Sequence, residues 1–364
     1  MRGCHRVCHT APMTRKMLEP TPANAMGPRA VSLKALAEHL QLSPATVSVV
    51  LNEARGAAAI PQSTKDRVFA AAEKLRYQPN FVARSLRKQR TFTIGVVVPE
   101  VSEGYATLVM SGIENYLFQS GYFYFVASHR HKPKLLRECA TSLLGRSVDG
   151  LIAVDTKWKN KVPIPVVSVS GHDEVEGVTN ILLDHLAATS IAIEHLVGLG
   201  HRKIACIKGQ AFSSDTEVRW QAVQAACAKW KIPFDRDLTA QLTGDSSSPQ
   251  MGYKATQEII AKHKPFTALF AFNDISAIGA IRALREAGLL VPRDVSVVGF
   301  DDILSASFQN PSLTTVRQPL QRMGEIAAEL MVRRIEGANN APETEAIVLE
   351  PELMIRESTG PARD

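Results

Sequence analysis

From Thr91 onward, short apolar runs alternate with longer amphipathic stretches, and no other feature of the sequence constrains the fold as strongly. Ile94–Val98, Tyr122–Ala127, Gly150–Val154 and Val166–Val169 are rich in β-branched and aromatic residues. They lack the in–out alternation of a half-exposed strand, so they read as parallel strands buried on both faces. Helical periodicity near Ala106–Gln119, Leu135–Leu144 and Leu186–Leu199 separates them. After Gly200 the pattern restarts, with strands at Lys203–Ile207, Thr267–Phe272 and Val295–Phe300. Helices are expected near Thr216–Lys231, Met251–His263 and Ile275–Ala287. The expected architecture is two doubly wound α/β lobes of parallel sheet, with strand carboxyl ends facing a shared cleft. No run approaches the ~20 apolar residues of a membrane span.

The first 90 residues differ in both charge and pattern. They hold 15 Lys+Arg and 5 Asp+Glu, a net of +10; the other 274 hold 27 and 31, a net of −4. A basic head on a mildly acidic body points to a polyanion, and nucleic acid fits best. Residues 1–29 carry Pro12, Pro20, Pro22 and Pro28 and no apolar core of the kind a secretory signal needs. They are expected to be a disordered extension or to precede the true start at Met17 or Met26. Cys4-His5 and Cys8-His9 resemble half a zinc site without an evident second pair. Five cysteines at irregular spacing suit a reduced, cytoplasmic setting.

From Ser32 a compact helical domain is expected over residues 30–78. Ser32 caps a helix through Lys34–Leu40, and Ser43-Pro44 starts a second through Ala45–Leu51, with Val47, Val50 and Leu51 inward. A third, Thr64–Leu75, would bury Val68, Phe69, Ala72 and Leu75, with Ser63 and Asp66 as a capping pair. Two short helices joined by a tight turn, then a supporting helix, form a helix-turn-helix. Thr46 and Ser48 are short donors suited to phosphate. Residues 79–90 carry Arg84, Arg87, Lys88 and Arg90 but are too short for a stable isolated helix, which suits a hinge that folds on DNA.

Ser43–Asn52 and Tyr77–Leu86 closely resemble the lactose/galactose repressor (LacI/GalR) family. So do Val148–Ile152, Leu199–Ala205, Phe272-Asn273-Asp274, Val297–Asp302, Pro311–Val316 and Arg356–Thr359, and the likeness covers residues 31–359. It implies a recognition helix in the major groove with Pro44, Ala45 and Val49 at base-reading positions. Thr46, Ser48 and Asn52 would lie near phosphates, with Ser43, Asn80, Ala83 and Arg84 completing the DNA contacts. Leu86 takes the part of a minor-groove wedge. The turn residue is Gln41 where the family often has glycine. With apolar base readers, contacts such as those to thymine methyls replace arginine forks.

For the body (91–364), the resemblance implies Tyr105, Arg219, Asn273 and Asp301 as effector contacts. Ser170 stands where the family carries an Asp-Arg pair. Ala106 and the Ser246–Ser248 run replace family aromatics, which weakens a stacking platform. His172 is either a substitute contact or a loop histidine, and the latter is preferred. Taken singly, Asp274 and Asp302 would cap helices and Arg219 would sit in a surface ion pair. An unusual sugar or sugar acid is expected as effector, since Arg219 would accept either. The whole implies a homodimeric transcriptional repressor of carbohydrate metabolism on a pseudo-palindromic operator, with partners limited to DNA, effector and a second copy. Alternatives are a periplasmic sugar-binding protein, a corepressor-dependent regulator or an activator. No Walker loop, zinc-ligand set or nucleophile elbow suggests an enzyme, and no cofactor is expected.

Overall fold

A computed structural model describes residues 31–52, 56–77, 85, 89–101, 104–159, 161–244, 247–337 and 346–363. The chain divides after Arg84 into two compact units. The N-terminal cysteine–histidine pairs lie outside the described residues, and so does the hinge apart from Ser85, Gln89 and Arg90.

The first unit holds α1 (Leu33–Leu40), α2 (Pro44–Leu51) and α3 (Gln62–Lys74). Ser32 and Ser43 cap the first two through their side chains. Leu36, Ala37, Leu40, Val47, Val50, Val68 and Ala71 form the core. Gln41 ends α1 at φ 55°, ψ 38°, while Gln41 N–H and Leu42 N–H bond Glu38 and Ala37 carbonyls in a Schellman arrangement. Two expectations fail in α3. It starts at Gln62 after Pro61, with no side-chain cap from Ser63; Asp66 instead accepts from Gln62 Nε2 at 2.8 Å. Phe69 is 44% exposed, because Val68 and Ala71 already fill the shallow face toward α1 and α2.

In the second unit, the first lobe is an all-parallel sheet. Its strands are β1 (Thr93–Val98), β2 (Phe123–Ser128), β3 (Gly150–Val154), β4 (Val166–Val169), β5 (Val178–Leu183) and β11 (Ile347–Leu349). The order is β11-β5-β4-β3-β1-β2. The second lobe orders β6 (Ile204–Lys208), β7 (Thr239–Gln241), β8 (Ala268–Phe270), β9 (Ser296–Asp301), β10 (Thr314–Arg317) and β12 (Glu352–Met354) as β12-β10-β9-β8-β6-β7. Only β12 runs antiparallel, against β10. Each sheet reverses its build direction at its first strand, so the β1/β3 and β6/β8 carboxyl ends form two switch points.

The flanking helices are α4 (Tyr105–Gln119), α5 (Pro133–Leu144), α6 (His185–Gly198), α7 (Asp215–Lys229), α8 (Pro249–Ile260), α9 (Asp274–Glu286) and α10 (Leu320–Glu336). The lobes are not consecutive in sequence, contrary to a restart at Gly200. Ala188, Ala192 and Ile193 of α6 already belong to the second lobe's core. Met323, Ala327 and Met331 of α10 return to the first lobe's core, and β11 and β12 divide between the sheets. Strand β2 also departs from expectation. As the sheet edge it leaves Phe123, Phe125 and Val126 exposed instead of burying both faces.

Glycines permit two close helix crossings. A Cβ on Gly112 (α4) would stand 1.9 Å from the Gln321 carbonyl oxygen, and one on Gly324 (α10) 2.0 Å from that of Val109. Gly252 (α8) and Gly279 (α9) do the same in the second lobe, at 2.0 Å from Ser276 O and 1.8 Å from Pro249 O.

Candidate functional site

On the head, α2 turns Val47 and Val50 inward, which leaves Pro44 and Ala45 exposed and Thr46, Ser48 and Val49 partly exposed. Ser43 Oγ accepts from the Thr46 backbone N–H at 3.0 Å and lies 2.8 Å from the Thr46 hydroxyl. Asn52 Nδ2 donates to the Ser48 carbonyl at 2.7 Å and fixes the helix end. Ser43, Pro44, Ala45 and Thr46 therefore share one accessible stretch at a helix N-terminus, which favours anions, while Val49 and Asn52 lie toward its other end. Asn80, Ala83, Arg84 and Leu86 lie outside the described residues.

In the body, a cleft of about 470 Å³, solvent-open space included, takes walls from both switch points. Tyr105, His131 and Asp155 come from the first lobe, and Gln210, Phe212, Asp215, Arg219, Phe272, Asn273 and Asp301 from the second. Contacts between described residues join the lobes across it. Ser214 donates its hydroxyl, and its backbone N–H at 3.2 Å, to Asp155 Oδ1. His172 Nε2 lies 2.6 Å from Asp215 Oδ1. The Ser247 N–H donates to Glu100 Oε1 at 2.7 Å, and the His131 and Phe212 rings stack at 3.8 Å between centroids.

Arg219 is no surface ion-pair partner: it is 3% exposed. Its guanidinium lies 3.8 Å from the Phe300 ring centroid and 4.4 Å from that of Phe272. Nη2 donates to Asp215 Oδ2 at 2.9 Å and Nη1 to the Phe272 carbonyl at 2.6 Å. Asp301 ends β9 with φ 111° and accepts from Gln318 Nε2 at 2.6 Å. Burial pushes its carboxyl up to about 7 against the opposing pull of Arg219, and burial together with Asp215 pushes Asp155 up to about 6. Burial alone would raise Asp215 as well, but His185, His172 and Arg219 hold it well below the usual carboxylate range.

The remaining expected residues separate by role. Asn273 lines the cleft while its side chain caps α9 in a reciprocal pair with Ser276. Asp274 does not supply that cap. It is fully buried and accepts from the Ile303 N–H (2.9 Å) and the Thr315 hydroxyl (2.6 Å), anchoring the loop after β9. Asp302 caps no helix either; it pairs with Arg317 and Arg356 away from the cleft. Ser170 lies outside the cleft lining and accepts the Tyr105 hydroxyl at 2.7 Å, so it positions that ring. His172 is a loop histidine that does not line the cleft, and its Nε2 lies 2.6 Å from the cleft residue Asp215.

Sequence reasoning passed over His131, Asp155, Gln210, Phe212 and Asp215. Asp155 and Gln210 follow their strands by one and two residues, a position that could have singled them out. Phe212, Phe272, His131 and Tyr105 supply aromatic faces from other positions than those the family pattern lost.

A helix-turn-helix head on a two-lobed body, with a polar cleft walled by both lobes, defines a ligand-responsive DNA-binding regulator. The bacterial regulatory protein lacI family model matches residues 32–80, and the periplasmic binding protein-like domain matches residues 193–359. The HTH-type transcriptional repressor PurR of Yersinia pestis is 33% identical over 345 residues, covering 92% of this chain and 98% of that protein. A lac repressor dimer bound to operator and the anti-inducer ONPF superposes with TM-score 0.78 at 26% identity, over 91% of this chain and all of that one. A complex of the transcriptional regulator CelR with cellobiose gives 0.67 at 28% identity, over 90% and 99%. The chain belongs to the LacI family of transcriptional regulators, which are not enzymes. Among the described residues no helix is long and apolar enough to cross a membrane.

Proposed function

We propose that this chain is a cytoplasmic transcriptional repressor that binds a pseudo-palindromic operator as a homodimer and releases or grips it according to a small molecule held between its lobes. The observation that carries the reading is the cleft itself: carboxylate, guanidinium, amide and aromatic groups from both lobes converge on one space, on the same chain as a helix-turn-helix. A ligand touching both walls favours one relation of the lobes, and a differential affinity of that kind is what shifts a two-state equilibrium.

Pro44, Ala45 and Val49 of α2 read bases; Ser43, Thr46, Ser48 and Asn52 hold phosphates. Residues 79–90 act as the hinge, with Asn80, Ala83 and Arg84 on the DNA and Leu86 as the wedge. Dimerisation places two heads on two half-sites. The edge strand β2 supports a self-association surface, since exposed Phe123, Phe125 and Val126 lie beside exposed Phe118 at the end of α4.

Tyr105, Asp155, Arg219, Asn273 and Asp301 contact the effector. The charge balance favours a neutral polyhydroxylated molecule over the sugar acid that Arg219 alone suggested. Three carboxylates line the cleft, and Arg219 already serves Asp215 and the Phe272 carbonyl. Sugar hydroxyls donate to Asp155 and Asp301, and the aromatic faces take the ring.

A thermal-shift screen of neutral sugars, sugar acids and nucleobases tests the reading, followed by operator binding with each hit. The expected hit is a neutral sugar that changes DNA affinity at least tenfold. Hits confined to anions, or hits with no effect on DNA binding, refute it.

A further inference from the structure

Behind the Asp215 wall of the cleft, two histidines converge on the same carboxylate. His172 sits in the loop after β4 of the first lobe, His185 begins α6 at the first crossover, and Asp215 begins α7 of the second lobe. His172 Nε2 stands 2.6 Å and His185 Nε2 3.4 Å from Asp215 Oδ1, and the ring centroids are 5.4 Å apart. Among the described residues this is the one group of three His, Cys, Asp or Glu side chains whose donor atoms lie within 4.8 Å of one another. We propose that His172, His185 and Asp215 form a binding site for a divalent transition-metal ion of the zinc class, which ties the first lobe to the second.

His185 supplies the independent observation. It is 4% exposed, yet neither ring nitrogen has a well-formed hydrogen bond, and Nε2 has only the 3.4 Å approach to Asp215 Oδ1. A buried imidazole so poorly partnered gives up its hydration for little return. A metal ion between Nε2 and Asp215 Oδ1 supplies the missing partner of Nε2. Burial also favours the neutral ring, which is the form that ligates.

The spacing fits the geometry. Tetrahedral ligands about 2.0–2.2 Å from a zinc-class ion stand about 3.3–3.5 Å from one another. His185 already meets that separation from Asp215 Oδ1, whereas His172 must retreat by about 0.8 Å on the same geometric ground. His172 is 15% exposed at its side chain and lies in a loop, so it is the ligand free to adjust. His172 ligates as the neutral tautomer that carries its proton on Nδ1, which leaves Nε2 to the ion.

The surroundings suit a ligating carboxylate. Arg219 donates to the other oxygen, Oδ2, at 2.9 Å, which orients Asp215 while leaving Oδ1 to the ion. The fourth position falls to water. The ligands come from a first-lobe loop, a crossover and a second-lobe helix, so the bound ion resists separation of the lobes at the face where the effector also acts.

The test uses the full chain carrying Cys4→Ser and Cys8→Ser, which removes the N-terminal thiols as competing ligands. Isothermal titration with Zn²⁺ and visible absorption with Co²⁺ are expected to show one ion per chain and a tetrahedral Co²⁺ spectrum. Zn²⁺ should also raise the melting temperature. His172→Gln and His185→Gln should each weaken binding by about tenfold or more, and should each abolish the rise in melting temperature that Zn²⁺ gives the parent, whatever their metal-free melting temperatures. If His185→Gln fails to fold, the exposed-side variant His172→Gln decides alone. No binding by the parent chain, or unchanged affinity in His172→Gln, overturns the proposal.

Discussion

Replacing Asp301 with Asn isolates the electrostatic burden that the cleft places on the fold. The carboxyl is buried, has no ion pair among the described residues, and is raised from 3.8 to about 7. A raised folded-state value means that the native protein binds the proton more tightly than the unfolded chain does. The neutral acid's stability is therefore complete below about pH 4, is lost progressively as pH rises toward 7, and levels off above it. A shift of that size corresponds to about 4 kcal/mol in all, of which about 2–3 kcal/mol falls between pH 5 and pH 8. Asn keeps an oxygen for the Gln318 amide, which now bonds Asp301 Oδ1 at 2.6 Å. Urea unfolding at pH 5 and pH 8 should then show the native protein losing about 2–3 kcal/mol more than Asp301→Asn over that range. Asp155, raised to about 6, contributes with the same sign in both proteins, and its share shrinks in Asp301→Asn because Asp301 no longer repels it, which widens the difference. Equal pH dependence in the two proteins would refute the reasoning. The expected functional counterpart is that an effector donating hydroxyls to Asp301 favours the carboxylate, and so releases protons when it binds near pH 6.5.

Two further predictions concern how the architecture is held. Gly112→Ala forces a methyl against the Gln321 carbonyl of the facing helix and should cost about 2–3 kcal/mol in urea unfolding. Gly198→Ala, with nothing within 4 Å of the added carbon, should be neutral or stabilising; equal losses would show that the close crossing is not the cause. In the head, Gln41 holds the left-handed region that glycine occupies without steric cost. Gln41→Gly should slow amide exchange in α1 and α2 by an amount equivalent to about 0.5–1 kcal/mol; faster exchange would contradict the strain argument.

The strength of local signals decided how much of this was legible in advance. The caps at Ser32 and Ser43 and the buried runs at Ile94, Gly150 and Val166 gave the head and most strands to within a residue or two. Strand β2 misled because Phe123 and Phe125 are apolar yet lie at a sheet edge, and edge position is a property of topology. Helix α10 carries Leu320, Met323, Ala327 and Met331 at helical spacing, so its periodicity was available; its return to the first lobe is a property of topology. Strands β11 and β12 depend on partners more than 30 residues away. In the cleft, Tyr105, Arg219, Asn273 and Asp301 were found through family likeness and do line one space. Asp155 and Phe212 went unseen because the approach of the two lobes gives them their partners, whereas Asp215 had a local signal in its i, i+4 spacing to Arg219. His172, beside the altered Ser170-Gly171 pair, reaches the cleft only through Asp215.

The central claim is that the head reads a two-fold symmetric DNA site. Selection from random-sequence duplexes tests it most directly, with the full chain compared against a Thr46→Glu/Ser48→Glu variant that opposes phosphate contact. The account predicts that the full chain enriches pseudo-palindromes and that the variant enriches none. Enrichment of unsymmetrical sites by the full chain, or equal enrichment by the variant, would contradict it.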